Sequence, residues 1–350
     1  VVSADMTKLF RDGVVINNKT YFAATLGLKG DQKFHHQIGN LSRSYYNVGT
    51  KVNHPICSLC LAGTDGVDFE DCTDDPIWLD TMFVSKPWEP ENTPSLVKIP
   101  FQGGCPEAMF RLDLFHCFKC GMGRDLTGST LVFLCQHGYF DFGGEGEECN
   151  LPARLVRAHS SFAMWCSACG KSPALHSFSK SLLNYQNTRA FAWFNVKGSD
   201  NTLIVEWLLF FVKISRLNNS RFPLFENAIV ETLESARIVF GVLHTHGLWL
   251  NRTCGQRVQH HLSLLIRGYK VVAYQAMSMN FVAFGLKPKL HALDHISKEL
   301  LKQLKSGSPM ILNPMSFSCE ANESIIGHVS RIARRVSSRT VGLRVTERIA

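Results

Sequence analysis

Apolar positions in this chain follow two different periods, and the change falls near residue 150. In the first part, Val14, Val15 and Ile16 and then Tyr21 to Leu26 form a β-branched and aromatic stretch closed by Gly27 and Gly30, which predicts strands over 14–29. Residues 107–115 (EAMFRLDLF) set apolar side chains around Asp113 and predict one buried strand. The run from Leu126 to Cys135 predicts a helix, although Gly121, Gly123 and Gly128 weaken the pattern. Residues 143–149 (GGEGEEC) read as a linker. From 151 to 285 the pattern turns helical: Leu224, Ala228, Val230, Leu233, Ile238 and Val242 fall near helical spacing, and 257–284 is a second long apolar segment. Pro288 ends it, because the residue before a proline is pushed out of the helical region. The last segment carries the sharpest pattern. Ile325, Val329, Ile332 and Val336 make one apolar stripe, with Glu323, Arg331 and Arg334 on the opposite face.

Composition narrows the class. Hydrophobic residues make up 45% and charged residues 19%, which gives enough apolar surface for a sizeable core and argues against a disordered chain. At roughly 150 residues per domain, the length fits two or three domains or one core with insertions. The most apolar window, Leu203–Val212, is interrupted by Glu206 and is shorter than the roughly 20 residues of a spanning helix, so no membrane partner is expected. The chain opens on Val1 without a signal-peptide pattern, which reads as a fragment. Charge is uneven. Residues 1–150 carry 12 Lys and Arg against 19 Asp and Glu, whereas residues 151–350 carry 25 against 10. The basic half points to a polyanionic partner, DNA above all. Arg331, Arg334, Arg335 and Arg339 are its densest group and the candidate phosphate contacts.

Cysteine usage adds a candidate chemistry. Six of the 12 cysteines form three C-x-x-C pairs: Cys57/Cys60, Cys117/Cys120 and Cys166/Cys169. Such pairs fit metal binding in a reducing compartment better than disulfides. Cys57/Cys60 lies in a loop-like stretch and forms half of a tetrahedral Zn²⁺ site, with His54, His35, His36 or Cys72 as candidates for the other half and His54 the nearest. The other two pairs are weaker metal signals: Cys117/Cys120 follows a predicted buried strand, where small thiols commonly serve as packing residues, and Cys166/Cys169 falls in AMWCSACGK. His291 and His295 stand four apart, on one face of a helix, but lack the Glu of a zinc-protease pattern. No phosphate-cradling glycine loop and no serine-nucleophile motif is present.

The remaining constellation is acidic. Asp5 precedes the first strand region, Asp113 sits in the predicted strand, and Glu320 and Glu323 open the arginine-rich helix. Two strand aspartates and a helix glutamate are what a pair of Mg²⁺ or Mn²⁺ ions needs for in-line phosphoryl transfer.

These motifs resemble, in order, the blocks of CACTA-type and Plavaka-type DNA transposases. ADMT resembles their opening D-x-T, CSLCLAG their cysteine knuckle, and DLFHCFKCGMGRDLTGS their second-aspartate block. KPKLHALDHI resembles the K-P-K-x-H-x-x-x-H segment, and SCEANESIIGHVSRIARR the final T-E-x-x-E block. The chain is similar to transposase-like families found in many copies in repeat-rich protist genomes. Cys120 and Ile326 depart from the pattern at positions where histidine is usual.

The resemblance implies an α/β, RNase H-like core: first strands over 1–52, a zinc-knuckle and acidic insertion over 53–100, and a core strand and helix over 101–142. A helical insertion over 151–285 and a closing segment with a basic helix over 286–350 complete it. It further implies a mobile-element protein of the nucleus that cleaves or transfers DNA strands with magnesium or manganese held by Asp5, Asp113 and Glu323 or Glu320, and leaves open whether that activity survives. A different class needs only Cys57/Cys60 and the basic half: a non-catalytic, zinc-containing nucleic-acid-binding or interaction module. A zinc hydrolase built on His291 and His295 is a third reading. Oligomeric state is left open by the sequence.

Overall fold

A computed structural model describes residues 2–50, 53–101 and 105–349. The fold is mixed, 56% helix with few strands. Strands β1 (Val14–Ile16) and β2 (Lys19–Tyr21) pair antiparallel, and so do β3 (Trp249–Asn251) and β4 (Met310–Leu312). No sheet of more than two strands is present among the described residues. The β1–β2 turn follows from its sequence. Asn17 and Asn18 both take positive φ (50° and 60°), as a two-residue hairpin of matching twist requires, and asparagine tolerates this.

The strand expected over 107–115 is not formed. Pro106 starts a short 3₁₀ turn through Met109, and only Phe110 pairs, in a single parallel bridge to Leu28. Past it, the Asp113 carboxylate accepts from the Phe115 amide at 2.9 Å, a local bond that draws the backbone toward helix rather than strand. A π-helical segment, Phe115–Met122, follows and runs into α4 (Gly123–Gln136). The interruption sits at Gly121 (φ −132°, ψ −116°), where a Cβ would lie 2.5 Å from the Lys289 side chain and 2.6 Å from the His116 carbonyl.

The body is built by α4 with α5 (Leu151–Ala168), α6 (Gly198–Asn219), α7 (Pro223–His244), α8 (Arg252–Ser278) and α9 (Pro288–Lys305). Their shared core holds Phe133, Phe140, Phe162, Phe194, Trp207 and Tyr269, all fully buried. The helices expected from the 224–243 and 257–284 patterns are α7 and the greater part of α8, and α7 packs on α8 more extensively than on any other element. A Cβ at Gly268 would lie 2.4 Å from Thr232 Oγ1, so only glycine permits this crossing as built. Pro288 starts α9 at its first turn, where a missing N–H costs nothing.

Two smaller clusters lie beside the body. One joins Ile56, Cys57, Leu59, Cys60, Ala62 and Trp78, the last from α3 (Ile77–Asp80); the other joins Leu41, Trp88 and Phe110. Two helices remain at the amino-terminal end, α1 (Val2–Arg11) and α2 (Gln32–Ile38). At the other end, α10 (Glu320–Ala333) packs on α11 (Val341–Ile349) and buries no residue. Among the described residues, no helix is long and apolar enough to cross a membrane.

Candidate metal centre

The C-x-x-C stretch folds as a tight turn. Ile56 N donates to Ala62 O at 2.9 Å, and Gly63, at φ 92°, donates to Val67 O at 2.8 Å. Inside the turn the Leu59 amide donates to Cys57 Sγ at 3.4 Å, which supports a thiolate there. The buried Arg43 ties the turn to the next segment, donating to Cys60 O at 3.2 Å and to the Ser85 and Lys86 carbonyls at 3.1 and 3.2 Å.

Against this turn lies α9. Residues four apart on a helix share one face, so His291 and His295 point the same way. His291 Nε2 lies 3.3 Å from Cys60 Sγ, and His295 Nε2 lies 3.4 Å from both Cys57 Sγ and Cys60 Sγ. The two Nε2 atoms are 3.0 Å apart, and the four donor atoms lie within 4.8 Å of one another, all buried. Tetrahedral bonds of about 2.3 Å to sulfur and about 2.0 Å to nitrogen separate such ligand atoms by about 3.3–3.8 Å. The site therefore fits zinc with only a slight opening. Trp78 closes one side, its ring centroid 4.7 Å from that of His291 and 4.3 Å from that of His295.

Electrostatics agree with a cation at the centre. Burial pushes the Cys57 thiol up, but the Cys60 hydrogen bond and the His295 and His291 imidazoles outweigh it and hold Cys57 well down. Its partner Cys60 is pushed up, first by the hydrogen bond to Cys57 and then by burial. Two buried thiols thus share one proton, and a divalent cation would displace it. Burial also lowers His295, outweighing the pull of the Cys57 thiolate beside it. The outer shell is thin: among the described residues, His291 Nδ1 and Asp294 Oδ2 are buried without a hydrogen-bond partner.

His54, the nearest ligand candidate in sequence, is exposed and outside this group. His291 and His295 supply the missing half instead. They lie more than 200 residues downstream, and only the docking of α9 on the turn joins them to the cysteines. The signal was available as a C-x-x-C and an H-x-x-x-H that together count four ligands. Neither His35, His36 nor Cys72 belongs to the group, and the Cys117/Cys120 and Cys166/Cys169 pairs gather no histidine.

The acidic constellation is dispersed. Asp5 is exposed on α1, a helix and not a strand. Asp113 is buried in the turn before the π-helical segment; one oxygen accepts from the Phe115 and Cys319 amides at 2.9 and 3.1 Å, and the other pairs with His116 Nδ1. Glu320 accepts from the buried Lys119 Nζ at 2.8 Å through both oxygens and lies 3.5 Å from His244 Nε2. Burial pulls its carboxyl up, but His244 and Lys119 together hold it below the usual range. Glu323 is exposed on α10. Among the described residues, the Cys57–Cys60–His291–His295 set is the one close group of three or more candidate ligands, and Asp5, Asp113, Glu320 and Glu323 are not part of it.

The arginines lie as the sequence pattern expects in one respect. Arg331, Arg334, Arg335 and Arg339 are exposed and make no ion pair among the described residues. The stripe behind them is not buried as expected: Ile325 is 59% exposed, and Val329, Ile332 and Val336 are only half-buried. No protein-family model matches this chain, and neither the curated proteins nor the solved structures contain a significant match.

Proposed function

We propose that this chain is a zinc-stabilised DNA-binding module and not an active nuclease. The observation that carries the reading is the closed, buried thiolate–imidazole cluster. All four positions of a tetrahedral ion are taken by Cys57, Cys60, His291 and His295, which leaves none for water or substrate. Such an ion supplies folding energy rather than chemistry, and the zinc-hydrolase reading loses its open position. DNA contact then falls to the unpaired arginines of α10 and beyond, whose charge is available to phosphates. A nuclear location is the compartment this partner implies. The test is duplex-DNA binding across a salt series with the zinc-loaded chain. Weak, sequence-independent affinity that falls steeply with salt supports the reading; absence of binding at low salt removes it.

A second reading has its own support. The parallel Leu28–Phe110 bridge and the Cys319 amide donated to Asp113 bring the first strand region, the second-aspartate block and the final block into contact. An RNase H-like, transposase-derived lineage accounts for that order of parts. Under it, magnesium or manganese would have to displace His116 from Asp113 and Lys119 from Glu320. A DNA-nicking assay with either ion, using wild type and Asp113→Asn, tests it: nicking lost in the variant supports residual catalysis, and no nicking in either leaves the binding module.

A further inference from the structure

Cys254 stands apart from the buried thiols of this chain. Burial pushes Cys72, Cys117, Cys135 and Cys319 up to about 12, which makes them inert packing groups. Cys254 instead is half-buried in the first turn of α8, a helix of 27 residues, packed against the edge of the main core. Its Sγ lies 3.4 Å from His246 Nε2.

The hydrogen bonds around His246 fix which nitrogen carries the proton. Nδ1 lies 2.8 Å from the Val242 carbonyl, which can only accept. It also lies 3.1 Å from Thr245 Oγ1, whose own proton goes to the Gly241 and Val242 carbonyls at 3.0 Å each. Both partners need a donor, so Nδ1 holds the hydrogen and Nε2 faces the thiol with a free lone pair. The turn carrying His246 is pinned in place by the buried Asn313, whose Nδ2 donates to the Leu243, His246 and Gly247 carbonyls at 2.9–3.2 Å. A nucleophile, a base within reach and a fixed orientation for that base are the parts of an activated thiol.

We propose that Cys254 is a modification site, a nucleophilic thiol activated by His246 that exchanges with small-molecule disulfides. The Sγ proton passes to His246 Nε2. Sγ then attacks one sulfur of the disulfide, a new Sγ–S bond forms and the original S–S bond breaks. The departing sulfur leaves with the electron pair and takes the proton from Nε2. The disulfide is the oxidant: Cys254 is oxidised to a mixed disulfide, and the other half of the reagent is released as a thiol. This assignment is independent of DNA binding and of the zinc site.

The experiment incubates the full, zinc-loaded chain with oxidised glutathione at neutral pH and follows each cysteine by peptide mass spectrometry. Cys169, exposed at the end of α5, is the internal standard. Cys254 is expected to react about tenfold faster than Cys169, and His246→Gln to bring it to the Cys169 rate while Cys169 itself is unchanged. A Cys254 rate no greater than that of Cys169 in the wild-type chain overturns the proposal, whether or not the variant folds. A rate advantage that survives in folded His246→Gln overturns the role of His246.

Discussion

Helices α9 and α10 are both amphipathic and run 18 and 14 residues, yet α9 buries ten residues and α10 none. The difference lies in what each face meets. The inner face of α9 carries Leu290, Leu293 and Leu300 into the main core and sets His291 and His295 against a thiol pair. The stripe of α10 meets little besides α11, and its firm ties to the body are polar and confined to its first turn, through Lys119 and Asp113. An apolar stripe therefore specifies a helix, but the partner that covers the stripe must come from elsewhere in the chain.

Breaking the clamp on α9 should have the largest effect. Cys60→Ser or His291→Ala should abolish stoichiometric zinc in elemental analysis and lower the thermal midpoint by more than about 10 °C, because structural zinc contributes on the order of 10 kcal/mol to folding. Loss of zinc without loss of stability would mean that α9 holds the turn without the metal. Next in size, Trp78→Ala should cost about 3–5 kcal/mol in urea unfolding, because its ring is fully buried against both imidazoles. Ile325→Ala on α10 should change stability by less than about 0.5 kcal/mol, since that side chain is mostly exposed. Equal costs at the two sites would end the contrast.

Acid should loosen the packing of α2, where the His35 ring lies against Phe110. Burial lowers His35 from 6.5 to about 4, and its Nε2 has no partner among the described residues. The folded state thus prefers the neutral ring while the unfolded chain binds the proton. This contribution is complete above pH 6.5 and is lost as pH falls toward about 4. It amounts to at most about 3 kcal/mol, and unfolding curves of wild type and His35→Gln at pH 7 and pH 5 should show it. An identical pH dependence in the two proteins would remove His35 as the cause. The smallest effect on stability, with a clear one on binding, is expected on α10. Arg331, Arg334 and Arg335 changed together to Ala should leave unfolding unaltered and flatten the salt dependence of DNA binding by up to about three phosphates' worth. An unchanged slope would place the contact on another face.

Much of the helical body was legible in sequence. The 224–243 spacing is α7, the 257–284 segment overlaps most of α8, and the run from Leu126 to Cys135 lies inside α4. The strand expected at 107–115 failed because an apolar run shows burial and not its period. Pro106 opens a 3₁₀ turn at one end, the Asp113–Phe115 bond leads into the π-helical segment at the other, and only Phe110 between them forms a bridge. At the metal centre, Cys57 and Cys60 were legible because their spacing is local. His54 was the natural partner by proximity in sequence, and it is exposed.

Local quantities were legible in the sequence alone: the helices α7 and most of α8, the cysteine pair of the metal-ready turn, where the arginines collect, and that His291 and His295 share a helix face. Each of these rests on residues within a few positions of one another, where backbone geometry alone fixes who meets whom. The tertiary structure decided which local features combine. His291 reaches Cys60 across 231 residues, Lys119 takes Glu320 across 201, and the Cys319 amide reaches Asp113 across 206. Those contacts exist because burying the shared faces of α4 and α6 to α9 fixes the positions of segments far apart in the chain. The same packing that gathered two thiols and two imidazoles did not bring Asp5, Asp113 or Glu323 into that group.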